Sequence, residues 1–258
     1  MKKYFKIIFI IIGLDPRRLL NTFRFGWRYL REYYSFTRAK HKSQHRFGEL
    51  SINPRLNEFV SNSAKPTKHY FVQDNFVADF LSEIRPISLL DIGSRVDGYI
   101  NQIRHICPVT VLDIRHPNYE LKNVNHVIGD LMDENSIKRL LKNNDYPIIS
   151  CLHTIEHIGL GRYGDKIDVN GDSISLSNLF MNMSSGAQLI LSVPFSDKPR
   201  VEFNAQRVYD LSALRATLPL SACIEEQWLI DDDDCFVDPT KDRSDINFGV
   251  IILLLRKG

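Results

Sequence analysis

The sequence predicts an α/β fold built on a doubly wound, mostly parallel sheet. Short apolar runs recur through the chain after residue 86, and they are continuous rather than alternating in polarity. Continuous runs are typical of strands that are covered on both faces. Segments with apolar residues at helical spacing precede and separate these runs, and such alternation of strands and helices predicts a layered sheet with ligands at the carboxyl ends of its strands.

The elements can be assigned in order along the chain. A helix is predicted from His69 to Ile84, because apolar residues recur at helical spacing and Pro86 follows. The five strands predicted next are 87–92, 109–114, 124–128, 147–152 and 188–193. Further helices are predicted at 176–183 and 210–218, and two last strands at 224–230 and 248–255, which makes seven strands.

Composition narrows the class of protein. The chain of 258 residues is 43% hydrophobic and 25% charged, as in an ordinary globular protein with one large domain. Its four cysteines include no C-x-x-C pair, which argues against a disulfide framework and a thiolate zinc cluster and favours a reducing compartment.

The N-terminal segment 1–46 is strongly basic and carries an amphipathic helical pattern. It holds 12 Lys/Arg against 2 Asp/Glu, whereas the rest of the chain has an acidic excess. The apolar run Ile7–Ile12 is too short to cross a bilayer, which needs about 20 residues. After Asp15-Pro16, a helix start, one face is predicted to carry leucines and aromatics flanked by arginines.

Such a helix is typical of a segment that lies on an anionic membrane surface, and the alternative is a helix packed on its own domain. Nucleic acid is an unlikely partner because the remaining chain is acidic. Residues 47–66 are interpreted as a linker and residues 67–258 as the folded domain. The expected location is cytoplasmic and peripheral, on the inner face of the cytoplasmic membrane.

An aspartate ends or follows each of three successive predicted strands. Asp91 ends the first strand, Asp113 the second, and Asp130 follows the third. Asp113 comes 20 residues after Gly93, the spacing at which a carboxylate meets the ribose of a nucleotide bound over the first strand–helix turn. Asp130 could accept a hydrogen bond from an adenine amino group. The series predicts a nucleoside ligand.

The segment after the fourth strand, HTIEHIGLGRYGD, concentrates polar side chains. His153, Glu156 and His157 fit the H-x-x-E-H pattern of a class of zinc peptidases, which requires one helix to present both histidines. A buried strand directly precedes His153, so no metal site is predicted, although a zinc hydrolase stays an alternative. The same side chains at a strand end suit a base and its orienting carboxylate, or a cap for the following helix.

The order of LLDIGSRVDGYI, VLDIR, GDLMD, ISCLHTIEH and SSGAQLILSVP resembles the class I (Rossmann-fold) methyltransferases, which bind S-adenosylmethionine. In particular, EHIGLGRYGD, NGD and RVEFNAQRVYD are similar to a bacterial group described as a domain of unknown function and associated with surface-polysaccharide loci. The likeness covers about residues 65–257. It departs from the usual D/E-x-G-x-G-x-G loop, because Arg95 and Asp97 replace two glycines and Gly98 comes one place late.

This resemblance implies an enzyme that transfers a methyl group from S-adenosyl-L-methionine to a polar acceptor, with a sugar hydroxyl of a glycan or lipid-linked glycan as the expected substrate. The cofactor residues it implies are Asp91, Gly93, Ser94, Asp113, Ile114, Asp130 and Leu131. His157 or His153 is the expected base, with Glu156 orienting it. The expected acceptor pocket contains Arg162, Tyr163, Asp165, Asn204 and Arg207. The alternative is a non-catalytic nucleoside-binding or assembly protein that keeps the fold, which the glycine substitutions favour.

Overall fold

The computed structural model divides the chain into two compact units, residues 1–66 and 67–258. The residues that the structure describes are 16–42, 68–115, 117, 120–142, 144–202, 205–239 and 246–258. The isoleucine run, the predicted linker and Asn204 therefore lie outside the described residues.

The described residues of the first unit form a long helix, α1 (Pro16–Lys42), which begins at the proline predicted for its first position. Its apolar stripe faces solvent: Phe23 is 84% exposed and Trp27 77% exposed, and Leu20, Leu30 and Tyr34 are also exposed. Among the helices in the described part of the chain, none has the length and apolarity needed to cross a bilayer.

The second unit is organised around one eight-stranded sheet, whose strands run in the order β3-β2-β1-β4-β5-β10-β8-β9. The strands of this sheet are β1 (Leu89–Ile92), β2 (Val109–Asp113), β3 (Val124–Ile128), β4 (Ile148–Leu152), β5 (Gln188–Phe195), β8 (Ala222–Ile230), β9 (Phe236–Val237) and β10 (Gly249–Lys257). The first five pair in parallel, and β10 runs antiparallel to both β5 and β8.

The seven predicted strands are all present, and the structure adds three short ones. The two-residue strand β9 extends the sheet, and β6 (Arg200–Glu202) with β7 (Gln206–Val208) forms a separate antiparallel pair. Two or three residues are too few to show a periodic pattern in sequence, because the strand repeat is two residues. The prediction of a doubly wound, mostly parallel sheet is confirmed.

Helices flank the sheet, and apolar side chains fill both interfaces. These helices are α2 (Lys68–Ile84), α3 (Glu134–Lys142), α4 (Gly171–Asn182) and α5 (Leu211–Thr217). Two hydrophobic clusters form on opposite faces: Leu90 and Leu189 belong to one, and their strand neighbours Leu89 and Ile190 to the other. Burial on both faces explains why the central strands are continuously apolar in sequence.

Candidate active site

A cavity of about 870 Å³ opens at the carboxyl ends of β1, β2 and β4. It is bounded by the loops that follow these strands, by residues after β3 and by the first turns of α2. The predicted residues that line it are Gly93, Ser94, Asp113, Ile114, Asp130, Leu131, His153, His157, Arg162, Tyr163 and Asp165. Residues predicted to contact a cofactor and residues predicted to contact an acceptor therefore share one cavity.

Asp91 lies beneath the first strand–helix loop rather than in the cavity wall. It is fully buried and accepts hydrogen bonds from Ser94 N (2.9 Å), Ser94 Oγ (2.8 Å) and Ser150 Oγ (2.8 Å). Burial raises the pKa of Asp91 to about 6, although the three donors act in the opposite direction. Asp91 therefore fixes the loop conformation and the position of Ser94 from below.

The loop after β1 turns at Gly93, which has a φ of +69°. A side chain there would be strained, and its Cβ would lie 2.8 Å from Thr154 Cγ2. Gly98 is closely approached by α2, since a Cβ there would lie 3.0 Å from Asp74 Oδ2 and that side chain would have to shift. Its late position in the sequence thus places a glycine where α2 approaches the loop.

The two substituted glycine positions, Arg95 and Asp97, pair with each other. Arg95 donates from Nη2 to Asp97 Oδ2 (2.7 Å) and from Nε to Asp97 Oδ1 (3.1 Å), and its side chain is 83% exposed. Their charges therefore largely cancel at the rim of the cavity.

Asp113 stands at the end of β2, in the cavity wall. Arg115 donates to both of its carboxylate oxygens, from Nε to Oδ1 (3.0 Å) and from Nη2 to Oδ2 (2.9 Å). The backbone N–H of Arg115 also donates to Oδ1 (2.8 Å). Any ribose hydroxyl that binds Asp113 must share these oxygens with the guanidinium.

Asp130 accepts a hydrogen bond from the backbone N–H of Met132 through Oδ1 (2.8 Å). Its neighbour Leu131 is buried, and Gly129 completes this part of the wall. This part of the cavity wall offers an apolar side chain and a hydrogen-bond acceptor, the two groups that the predicted adenine contact requires.

Glu156 joins the two histidines at the end of β4. It is completely buried in a short 3₁₀ turn (Ile155–His157), and its Oε1 lies 2.8 Å from His153 Nδ1 and 3.7 Å from His157 Nε2. His153 follows the last residue of β4 with a φ of +50°, in the left-handed region that is rare for residues with side chains. The turn brings together all three residues predicted to be catalytic.

The hydrogen bonds distinguish the two imidazoles. A carboxylate only accepts, so with Glu156 ionised His153 carries its proton on Nδ1 and presents an unprotonated Nε2. That Nε2 is buried and has no hydrogen-bond partner among the described residues. His157 instead donates from Nδ1 to the carbonyl of Ala205 (2.6 Å). Burial lowers the pKa of His157, although the charge of Glu156 acts in the opposite direction.

The loop that follows is shaped by Asp165. Its carboxylate accepts from the backbone N–H groups of Gly159 (2.7 Å), Gly161 (3.1 Å) and Tyr163 (3.1 Å). Partial burial would raise the pKa of Asp165, but these hydrogen bonds outweigh it and lower the pKa. The carboxylate thus maintains the loop that presents Arg162 and Tyr163.

Arg207 was predicted to contact substrate, but the structure gives it a different role. It does not line the cavity; its guanidinium is buried and donates to the carbonyls of Ile158 (2.6 Å) and Val169 (3.1 Å). Its Nε lies 3.5 Å from the Asp172 carboxylate. Arg207 therefore supports the loop of residues 156–169 from behind. A single polar residue in a sequence gives no sign of which way its side chain faces.

Residues of α2 also line the cavity, although the sequence pattern did not predict this contribution. The Tyr70 ring packs on His153, with centroids 4.7 Å apart. Gln73 contacts Asp74 and Ser192, and burial raises the pKa of Asp74. The sequence feature that could have predicted this contribution is the helical pattern directly before the first strand, because a helix there has one end near the carboxyl ends of the strands.

The two histidines do not lie on one helix, as the H-x-x-E-H motif of zinc peptidases requires. His153 directly follows β4, and His157 belongs to the 3₁₀ turn. In the described part of the chain, no three His, Cys, Asp or Glu side chains are grouped so as to hold a metal ion.

Comparisons with known proteins agree with this architecture. Residues 135–220 match a family model described as "Caenorhabditis protein of unknown function, DUF268". That description does not mention bacteria or polysaccharides, so this association stays a prediction. No curated protein matches the chain.

Among solved structures, the [4+2]-cyclase SpnF has a TM-score of 0.50 at 10% identity, with 71% of this chain and 80% of that chain covered. At this identity the likeness shows the fold alone, an α/β fold with a large, mostly parallel sheet.

Two other structures are methyltransferases crystallised with S-adenosylhomocysteine. The N-methyltransferase NodS from Bradyrhizobium japonicum WM9 has a TM-score of 0.49 at 10% identity and covers 76% of this chain and 89% of its own. The 1,6-didemethyltoxoflavin-N1-methyltransferase from Burkholderia thailandensis has a TM-score of 0.48 at 13% identity, with coverages of 71% and 77%.

Proposed function

We propose that this chain is an S-adenosylmethionine-dependent methyltransferase that acts on a hydroxyl group of a sugar. The supporting observation is the shared cavity, which is lined by Asp113, by Asp130 and by His153, whose Nδ1 contacts the buried Glu156. The class I methyltransferase fold and the sequence resemblance agree with this assignment.

The residues at the cofactor end fit a nucleoside with a charged amino-acid tail. Asp113 and Ile114 line the region expected for ribose, and Asp130 and Leu131 the region for adenine. Asp91 holds Ser94 in place by accepting from its N–H and hydroxyl, and Gly93 allows close approach of the backbone. When bound, the cofactor supplies an electrophilic methyl group.

At the acceptor end, His153 is the proposed base. Glu156 fixes the tautomer in which Nε2 can take a proton from an acceptor hydroxyl. Alignment of donor and acceptor contributes to the rate, and a positioned base adds about 10²- to 10⁴-fold. His157, whose Nδ1 is held by Ala205, is the second candidate.

Binding and turnover test the proposal separately. Calorimetric titration with S-adenosylmethionine and S-adenosylhomocysteine should show one site per chain, and absence of binding would refute the assignment. With a panel of neutral sugars, uronates and sugar phosphates as acceptors, His153→Asn should lower turnover about 100-fold or more while retaining cofactor binding. His105→Asn, an exposed histidine outside the cavity, is the matched control. Unchanged turnover in His153→Asn would dismiss the base role.

The Arg95–Asp97 pair at the two substituted glycine positions favours a second candidate, a non-catalytic nucleoside-binding or assembly protein that keeps the fold. In either case a ribose would compete with Arg115 for Asp113, since both oxygens of Asp113 already accept hydrogen bonds. Cofactor binding without turnover on any acceptor of the panel, together with tighter binding in Arg115→Gln, would support this candidate.

We also propose that α1 lies on the inner face of the cytoplasmic membrane, where a lipid-linked glycan would be accessible. The support is the charge and exposure of the helix: Phe23 and Trp27 are largely exposed, Arg24 and Arg31 are exposed beside them, and the net charge of its sequence is positive. Apolar insertion together with attraction to anionic lipid suits such a helix.

Vesicle flotation tests this membrane contact. The full chain should float with phosphatidylglycerol vesicles and much less with phosphatidylcholine vesicles, and Trp27→Ala should weaken flotation. Leu220→Ala, which removes an exposed leucine outside α1, is the control. Equal flotation of both variants would contradict the proposal.

A further inference from the structure

The three arginines at the cavity differ in how their charge is compensated. Arg95 pairs with Asp97 and Arg115 pairs with Asp113. Arg162 has no carboxylate partner among the described residues, and its Nη1 donates to the carbonyl of Ala205 (3.1 Å). A guanidinium has five N–H donors, so most of those of Arg162 are available to a ligand.

The carboxylate of Asp165, three residues along the chain, forms no ion pair with Arg162. Its oxygens accept from backbone N–H groups of Gly159, Gly161 and Tyr163. Nη1 of Arg162 lies 3.3 Å from His157 Nδ1, a ring nitrogen that already donates to Ala205. The groups that contact this guanidinium among the described residues are therefore uncharged or basic.

Tyr163 adds an apolar surface beside these donors. Its ring lies 4.5 Å from the Arg115 guanidinium and 5.2 Å from that of Arg162, and it packs edge-on to His157 with centroids 5.7 Å apart. These three contacts orient the ring, of which 40% stays exposed. An oriented aromatic ring offers a flat apolar face together with a polar tip.

We propose that Arg162 and Tyr163 form a subsite for an acidic sugar, in which Arg162 binds a carboxylate or phosphate and the exposed part of Tyr163 packs against the sugar. This inference rests on the proposed function and adds the charge class of the acceptor. Arginine presents paired donors that match both carboxylate and phosphate, so either source of the anion satisfies the geometry.

Binding of three probes by the full chain tests the subsite: glucuronate, glucose 1-phosphate and glucose, titrated by NMR with and without S-adenosylhomocysteine. At least one anionic sugar should bind about tenfold or more tightly than glucose, and which one binds identifies the anion. Arg162→Gln should weaken anion binding roughly tenfold to a hundredfold and leave glucose binding unchanged. Arg162→Lys should restore part of the affinity.

Two readouts separate binding at this subsite from a general effect of charge. Arg139→Gln, which removes an exposed arginine on α3, should leave anion binding unchanged. An anion beside Arg162 should also raise the pKa of His157, because a nearby negative charge favours the imidazolium. Equal binding of glucose and the anions, or unchanged anion binding in Arg162→Gln, would overturn the proposal. Failure of S-adenosylhomocysteine to bind would instead refute the methyltransferase assignment.

Discussion

Replacing Arg207 with alanine should destabilise the protein far more than the removal of another arginine from the same pair of strands. Arg207 lies on β7, is buried, and contacts four backbone carbonyls of the loop behind the cavity, of which Ile158 and Val169 are the nearest. Its Nε also lies 3.5 Å from the Asp172 carboxylate, which is 10% exposed.

The expected loss of stability in Arg207→Ala follows from the buried groups that the substitution leaves without partners. Breaking one side of a buried ion pair costs about 3–5 kcal/mol, because the other charge stays buried without compensation. Among the described residues, Asp172 would keep only the hydrogen bond from Tyr209 Oη (2.8 Å), and the freed carbonyls would need water. Against a total stability of roughly 5–15 kcal/mol, this is a large fraction.

Urea unfolding of the full chain measures the effect, with Arg200→Ala as the matched control. Arg200 on β6 pairs with Glu202, and these side chains are 39% and 40% exposed, so its loss should cost less than about 1 kcal/mol. The midpoint for Arg207→Ala should fall by about 1 M or more. Equal midpoints for the two variants would refute the supporting role of Arg207.

Two further predictions concern the first loop. Gly93→Ala should lower the free energy of unfolding by about 2–4 kcal/mol and abolish most S-adenosylhomocysteine binding, since the φ of +69° is strained for alanine and the Cβ meets Thr154. The control is Gly164→Ala, with a φ of +88° and no atom within 4 Å of the new Cβ, which should lower it by only about 1–2 kcal/mol. Urea unfolding and calorimetry would show this difference, and equal losses would contradict it. Carbon-13 NMR of Asp91 should give a carboxyl pKa near 6, and Ser150→Ala should raise it by removing a donor to the carboxylate; an unchanged pKa would be inconsistent with that hydrogen bond. Because the folded pKa exceeds the ordinary 3.8, the contribution of this carboxyl to folding is greatest below pH 3.8 and is lost as the pH rises through 6.

Much of the fold could be predicted because its central strands are buried on both faces and are therefore continuous apolar runs in the sequence. The strand ends then placed Asp113, Asp130 and His153 at one edge. The short strands β6, β7 and β9 were not predicted, since two or three residues carry no periodic signal.

A site residue could be predicted where its position at a strand end fixes its location. It was harder to predict where its role depends on which hydrogen-bond partner its side chain contacts. The pairing of Asp113 with Arg115 and the inward orientation of Arg207 depend on tertiary contacts between distant segments. The preference for His153 over His157 likewise required the distance to Glu156, which the H-x-x-E-H spacing does not give.

The position of β10 has a consequence for how the chain folds during synthesis. This strand is made after both β5 and β8, yet it lies between them, with every residue from Gly249 to Leu255 buried. Until it has been made, the parallel half of the sheet ends at an open β5 edge, and β8 pairs with the two-residue strand β9 but not with the rest of the sheet. An unpaired apolar edge is a site of aggregation, so a chain stalled before residue 249 would be the species most dependent on chaperones.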